Sequence, residues 1–264
     1  MTTGTILDKI LAAKRVEVDR HKRETPLAEL EAQARAAPFP LNLSGALWGD
    51  RVRLVAEVKK ASPSKGLLAE HYDPVAMATA YADNGAAAIS VLTEVDHFQG
   101  SLDHLRAVKE AVGPQGVPVL RKDFLYDPYQ LFEARACGAD AVLLIVAMLS
   151  PDQLKEMLAA AQSIWLQALV EVHSEEEMHT ALNSGAEIIG INHRDLKTFT
   201  MDMGLAARLA PMVPQGRIIV AESGINTAED VVPLKRAGVH AVLVGEALMT
   251  APDPAAKVRE LAGI

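Results

Sequence analysis

Short runs of β-branched and apolar residues alternate with amphipathic segments along most of this chain. From about residue 53 the runs are Arg53–Lys59, Ala87–Thr93, Val117–Lys122, Ala141–Ala147, Trp165–Val172, Ile188–Asn192, Arg217–Glu222 and Ala241–Gly245, eight in all. Several are apolar almost throughout (AVLLIVAM, EIIGIN, RIIVAES), the pattern of parallel strands covered on both faces. The stretches between them read as helices with identifiable starts. Asp73-Pro74, Asp127-Pro128 and Ser150-Pro151 each place a capping side chain before a proline, whose missing N–H costs nothing at the first helical position. Ser174 and Glu177 have the spacing of a capping box, and Asn226-Thr227 precedes another helical run.

Four glycine tripeptides punctuate this alternation: Gly85-Ala86-Ala87, Gly138-Ala139-Asp140, Gly185-Ala186-Glu187 and Gly238-Val239-His240, roughly 50 residues apart. Each closes a helix and opens a strand, and glycine suits the left-handed residue that ends such a helix. Four strand–helix–strand–helix units predict eight parallel strands, and closing them into a (β/α)8 barrel, the TIM-barrel architecture, leaves no edge exposed. The first 50 or so residues do not fit the repeat. Thr5–Lys22 predicts a helix with an imperfect apolar stripe of Ile6, Ile10, Leu11, Val16 and Val18. Pro26 opens a second helix through Ala36, and Pro38-Phe39-Pro40 breaks it. This segment is too short and too charged for a core of its own. The expected organisation is one domain, with residues 1–50 an N-terminal helical extension and 51–264 the barrel. The pattern leaves open whether the extension plugs the bottom of the barrel or covers its mouth.

At 264 residues and 50% hydrophobic, the chain can build one large core. A net charge of −8 argues against nucleic acid or an anionic membrane as partner. An anionic substrate must then be held by locally placed lysines and arginines. The single cysteine, Cys137, excludes an internal disulfide and reads as a small buried hydrophobe at a helix end. Met1 to Asp8 lacks the basic and apolar regions of a signal peptide, and nowhere do about 18 apolar residues run uninterrupted. A soluble, reduced, cytoplasmic protein is expected.

The chemistry is sought at the strand ends, because burying an unpaired ionised side chain costs several kcal/mol. Charges that terminate apolar strands therefore face water or a ligand. If Val58 faces the helices, Glu57 and Lys59 face the barrel mouth as an opposite-charge pair. Lys122 shares the parity of Leu120 at the third strand's end, and Glu171 that of Leu169 at the fifth. The sixth offers Asn192 and Arg194, the seventh Glu222-Ser223-Gly224 and the eighth Gly245-Glu246. Lysines and glutamates converging on one mouth suit acid–base work, each charge offsetting the other's desolvation. Ser223-Gly224-Ile225 and Gly245-Glu246-Ala247 each precede a helical start, where backbone N–H groups can cradle a phosphate. The cationic loop Lys60-Ala61-Ser62-Pro63-Ser64-Lys65-Gly66 reads as a segment that closes over substrate.

These residues carry a resemblance. AEVKKASPSKG (Ala56–Gly66) resembles the first-strand signature of the indole-3-glycerol-phosphate synthases, Glu-x-Lys-x-x-Ser-Pro-Ser. Lys122-Asp123-Phe124 with Asp127-Pro128-Tyr129-Gln130 is similar to that family's third-strand segment. Leu169–His173, Ile189–Asn192 with Arg194-Asp195-Leu196, Ala221–Ile225 and Val244–Met249 are similar to its fifth to eighth, in order over about 200 residues. The resemblance implies conversion of 1-(2-carboxyphenylamino)-1-deoxyribulose 5-phosphate into indole-3-glycerol phosphate, carbon dioxide and water, with no cofactor or metal; a monomer is expected, although the sequence does not fix the oligomeric state. It implies Lys122 as general acid at the carbonyl oxygen, and Lys59 at the anthranilate carboxylate or phosphate and as a second acid. Glu171 would be the base or cation stabiliser near the anilino nitrogen. Glu57 and Glu222 would hold the lysines' charge and the sugar hydroxyls, with Asn192 and Ser223 orienting substrate. Ser62, Arg194, Gly224, Gly245 and the backbone of Glu246 would bind substrate or phosphate. Two departures are visible: His193, with outward parity, is expected to matter little, and the Glu246 side chain is expected to point away from the phosphate.

Three alternatives remain at this stage. A phosphoribosylanthranilate isomerase would end its first strand with cysteine and its sixth with aspartate, where this chain has Glu57/Lys59 and Asn192. A Schiff-base lyase would use Lys122 as a covalent amine. A non-catalytic sugar-phosphate-binding barrel would bind without forming indole.

Overall fold

The computed structural model describes residues 6–62, 66–68, 72–196 and 198–264. Thr5, proposed as the first helical residue, and Pro63, Ser64 and Lys65 of the cationic loop lie outside the described residues. Eight strands fall within the eight apolar runs: β1 (Arg53–Val58), β2 (Ala88–Leu92), β3 (Val119–Lys122), β4 (Ala141–Ile145), β5 (Gln167–Val172), β6 (Ile188–Asn192), β7 (Ile218–Glu222) and β8 (Ala241–Val244). They form a closed parallel barrel in which β1 pairs with both β2 and β8. The runs were longer than the strands for local reasons. Pro118 has no N–H for the ladder, Trp165 sits at φ 64°, and Val146–Met148 turns into a short helical segment.

Side-chain alternation divides the core into two layers. Leu54, Ala56 and Val58 pack outward with residues such as Tyr81 and Leu105 of the surrounding helices. Val55, Leu120, Leu143, Leu169, Val220 and Leu243 fill the barrel interior. The outer ring comprises α4 (Pro74–Asp83), α5 (Leu102–Val112), α6 (Pro128–Ala136), α7 (Pro151–Ser163), α8 (Glu175–Ser184), α9 (Leu205–Leu209), α10 (Ala228–Arg236), α11 (Glu246–Met249) and α12 (Pro254–Ala262). Asp73, Asp127 and Ser150 cap α4, α6 and α7 as expected, and Gly85, Gly138, Gly185 and Gly238 all have φ between 87° and 100°. The capping box foreseen at Ser174 is only half formed. Its hydroxyl accepts from the Glu177 N–H at 3.2 Å, but the Glu177 carboxylate turns to His173 instead, accepting from its backbone N–H at 2.7 Å. His173 offers that carboxylate a ring nitrogen as well, at 3.1 Å, which Ser174 cannot.

The extension does both jobs that the pattern left open. Leu7 and Ile10 of α1 (Ile6–Glu24) join the interior cluster beside Phe124 and Ile145, over the mouth. At the other end, α3 (Leu43–Leu47) inserts Leu43 and Leu47. There the Leu41 N–H meets Asp140 at 2.7 Å and the Ser44 N–H meets Gln167 at 3.0 Å, just before β4 and at the start of β5. The buried face of α1 is Leu7, Ile10, Lys14 and Val18; of the stripe read from the sequence Ile10 and Val18 are buried, Ile6 and Leu11 pack partly buried against the interior cluster, and Val16 is 70% exposed. The stripe looked imperfect because a lysine occupies it. Lys14 is buried against Asp123 at 3.0 Å and Glu17 at 2.8 Å, which offsets its desolvation. α2 (Leu27–Ala36) packs on α6, and the Tyr129 hydroxyl donates to the carbonyls of His21 and Thr25 at the α1–α2 junction. Cys137 is buried at the end of α6, as expected. Among the described residues, no helix is long and apolar enough to cross a membrane.

Candidate active site

Parallel strands of one barrel end on the same rim, and β-strand parity decides which terminal side chains turn inward. Val58 does face the helices, so Glu57 and Lys59 turn to the mouth and pair at 3.0 Å. A cavity of about 260 Å³ opens there. Glu57, Lys59, Ser62, Lys122, Glu171, Asn192, Arg194, Glu222, Ser223, Gly224, Gly245 and Glu246 all line it. The sequence scatters these residues over six of the eight βα units, and closure of the barrel collects them.

At the centre of the polar floor, the Lys122 ammonium lies 3.6 Å from Glu171 and 3.7 Å from Glu222. Burial would lower its pKa, but Glu171, Glu222 and Glu57 outweigh it and hold the ammonium charged above the usual lysine range. Burial would likewise raise the Glu171 carboxyl, yet Lys122, His173 and Asn192 keep it well below the usual carboxylate range. Glu222 goes the other way. Burial and the neighbouring Glu171 charge push it up to about 8, against the pull of Lys122. Like charges this close cannot all be ionised at low cost, and Glu222 is the carboxyl that its surroundings push toward the neutral form. Glu171 Oε2 and Glu222 Oε1 are buried without a hydrogen-bond partner among the described residues.

Two glycines make room for these carboxylates. A Cβ on Gly190 would run into the Glu222 carboxylate, and one on Gly245 would stand 2.5 Å from Glu57 Oε1. Close approach of a side chain to bare backbone is what glycine allows.

The other wall of the cavity is apolar: Phe98, Phe124, Leu143, Ile145 and Leu196, with Ile6, Leu7 and Ile10 of α1 above. These residues were absent from the sequence-derived site. Phe124, Leu143 and Ile145 carry the inward parity and could have been found by extending the strand-end argument to apolar residues. Phe98 could not, because its position depends on a turn. The buried Glu94 carboxylate accepts from the backbone N–H groups of Asp96, His97 and Phe98 at 3.1, 2.8 and 3.0 Å, folding the β2–α5 loop so that Phe98 enters the cavity.

The turns after β7 and β8 are less regular than expected. Ser223 at φ 67° and Gly224 at φ 77° are both left-handed. His193, expected to matter little, is buried and donates from Nδ1 to the Ser223 carbonyl at 2.9 Å, holding that turn. Glu246 does not stand clear of the site's cation. Its carboxylate lies 3.9 Å from the Arg194 guanidinium, at the outer limit of an ion pair. Ser62 is buried in the wall and pairs with Gly66 in a two-residue antiparallel ladder, which carries the described part of the cationic loop over the rim.

An apolar slot beside a charge-balanced floor suits a flat aromatic group bearing anionic substituents. Comparison with known proteins points the same way. A family model described as indole-3-glycerol phosphate synthase matches residues 7–261. A relative of that name from Roseiflexus sp. (strain RS-1) is 54% identical, with 98% of this chain and 98% of that protein covered. Another, from Dehalococcoides mccartyi (strain CBDB1), is 50% identical, with 97% and 99% covered. Among solved structures, thiamine phosphate pyrophosphorylase from Pyrococcus furiosus aligns with a TM-score of 0.64 at 18% identity, covering 83% of this chain and 96% of that one. The 3-hexulose-6-phosphate synthase from Salmonella typhimurium aligns with a TM-score of 0.64 at 18% identity, covering 80% and 97%. Likeness at that identity speaks for the barrel fold alone. The sequence match, spanning nearly the whole length and every strand end that builds the cavity, places this chain in the indole-3-glycerol phosphate synthase family.

Proposed function

We propose that the chain is a carboxy-lyase that converts 1-(2-carboxyphenylamino)-1-deoxyribulose 5-phosphate into indole-3-glycerol phosphate, and that the residues at the mouth divide the work as follows. The aryl ring lies against Phe98, Phe124, Leu143 and Ile145, and the phosphate lies at Arg194 and the backbone of Gly224, Gly245 and Glu246. The aryl carbon that bears the carboxylate attacks the ribulose carbonyl, and Lys122 gives its proton to the carbonyl oxygen. The carboxylate leaves as carbon dioxide, returning its electron pair to the ring. The new hydroxyl then leaves as water while the adjacent carbon loses a proton to Glu171. Lys59 meets the substrate carboxylate or phosphate and serves as the second acid. Glu57 restrains Lys59, Glu222 holds a proton beside Lys122, and Asn192, Ser62 and Ser223 orient the substrate. One proton is taken up per turnover, because a carboxylate departs as a neutral gas.

The observation that carries this reading is the Lys122 ammonium held between Glu171 and Glu222 beside an apolar slot. An amine kept protonated by carboxylates is a proton donor, not the free nucleophile that a Schiff-base lyase needs. We further read residues 1–264 as one domain acting as a cytoplasmic monomer, for which the elution volume of the purified chain is the check. Incubation with the carboxyphenylamino-deoxyribulose phosphate should give indole fluorescence. Tight binding with no fluorescence would instead mark a sugar-phosphate-binding barrel.

A further inference from the structure

Behind the floor of the cavity stands a group that the reaction scheme above does not use. His173, two residues past Glu171 and on the same side of β5, is nearly buried, with its ring between two carboxylates. Its Nε2 is 3.2 Å from Glu171 Oε1 and its Nδ1 is 3.1 Å from Glu177 Oε2. Glu177 is itself fixed. Its carboxylate also accepts the His173 backbone N–H at 2.7 Å, and its own N–H is capped by Ser174 at 3.2 Å. The departure from a regular capping box at α8 is therefore what clamps this ring. The contact with Glu171 is an ion pair and not a directed hydrogen bond, since Nε2 lacks a hydrogen-bond partner among the described residues; the ring's charge draws Oε1 toward it and leaves Oε2 as the oxygen turned to Lys122.

We propose that His173 is a positioning residue: clamped by Glu177, it holds Glu171 by one oxygen and aims the other at Lys122 and the reacting carbons. The proposal rests on the activity read above and deepens it. It makes the pair Glu177–His173 part of the acid–base machinery, although neither touches substrate. Burial alone would favour a neutral ring, but the two carboxylates outweigh it and keep His173 protonated up to about pH 10. Glu171 is faced by Lys122 from β3, Asn192 from β6, Glu222 from β7 and His173 from its own strand. Only His173 ties it toward the exterior. On its outer side His173 borders a second cavity, lined also by Glu175, Asp195, Asp202 and Arg208.

The test compares wild type with His173→Ala, His173→Gln and Glu177→Gln in the purified chain. Misplacing a catalytic group typically costs about 10–100-fold in rate. His173→Ala should accordingly lower kcat by about that factor while KM changes less than about twofold, and the acid limb of the kcat–pH profile should move to higher pH. Glu177→Gln should move the limb in the same direction by less. Imidazole added to His173→Ala should restore part of kcat. A kcat within about twofold of wild type, or an acid limb that stays in place, overturns the proposal. If His173→Ala does not fold, His173→Gln and Glu177→Gln decide by the same limb. NMR titration of the carbon-13-labelled Glu171 carboxyl in ligand-free protein reads the proposal without turnover. A higher midpoint in the variants supports it and an unchanged one sinks it, even if the wild type forms no indole, which would refute the activity alone.

Discussion

Replacing Lys122 by methionine removes one ammonium from the centre of the site while nearly conserving side-chain volume. Its two contacts, at 3.6 and 3.7 Å, are each worth about 4–5 kcal/mol of gross attraction at an effective dielectric of about 20. Desolvation offsets most of that. The structure limits the damage to folding, since Glu171 keeps His173 and Glu222 already tends to hold a proton. Chemistry has no such reserve, because among the described residues no other ammonium is paired with both carboxylates. Loss of a general acid costs about 10²–10⁴ in rate, or about 2.7–5.4 kcal/mol of barrier at 1.36 kcal/mol per decade. Arg194 and the phosphate turns are untouched, so KM should stay within a few-fold. Stopped-flow fluorescence of the indole product gives kcat and KM separately, and circular dichroism checks the fold. A folded Lys122→Met variant with nearly unchanged kcat would refute the assignment of Lys122 as the acid.

Gly190→Ala should lower kcat by at least about tenfold, since its Cβ would displace the Glu222 carboxylate; steady-state assay and a thermal melt separate this from unfolding. Glu94→Gln removes a charge that three backbone N–H groups share. It should raise KM through a loosened Phe98 while leaving the pH profile in place, as substrate titration will show. Lys14→Met leaves Asp123 paired with Arg121 alone, and losing one charged partner of a buried carboxylate that keeps another costs about 1.5–3 kcal/mol, visible in urea unfolding. Asp123 is depressed from 3.8 to about 2. A carboxyl with a lowered folded-state pKa stabilises fully above its unfolded value and loses that contribution as pH falls through the folded one. The stability gap between wild type and Lys14→Met should therefore hold constant through neutral pH and narrow between about 4 and 2.

Much of this was legible because the barrel imposes strict rules. Apolar runs, glycine returns and proline-headed helices gave the strands within a residue or two, and inward parity at strand ends gathered Glu57, Lys122, Glu171, Asn192 and Glu222 correctly. What escaped depended on tertiary partners. Lys14 reads as a flaw in an amphipathic stripe until Asp123, more than 100 residues away, is brought against it. The position of Phe98 is set by a buried glutamate folding its own loop, and that of His173 by a capping residue that abandons the cap. Each of these is a polar side chain whose local preference yields to a stronger partner, and periodicity does not register such exchanges.

The most direct measurement follows substrate labelled at the carboxylate carbon and counts labelled carbon dioxide against indole-3-glycerol phosphate formed by the purified chain. The account predicts one labelled carbon dioxide per indole ring, with no adduct trapped by borohydride. Substrate consumed without release of label, or a trapped adduct on Lys122, would contradict it.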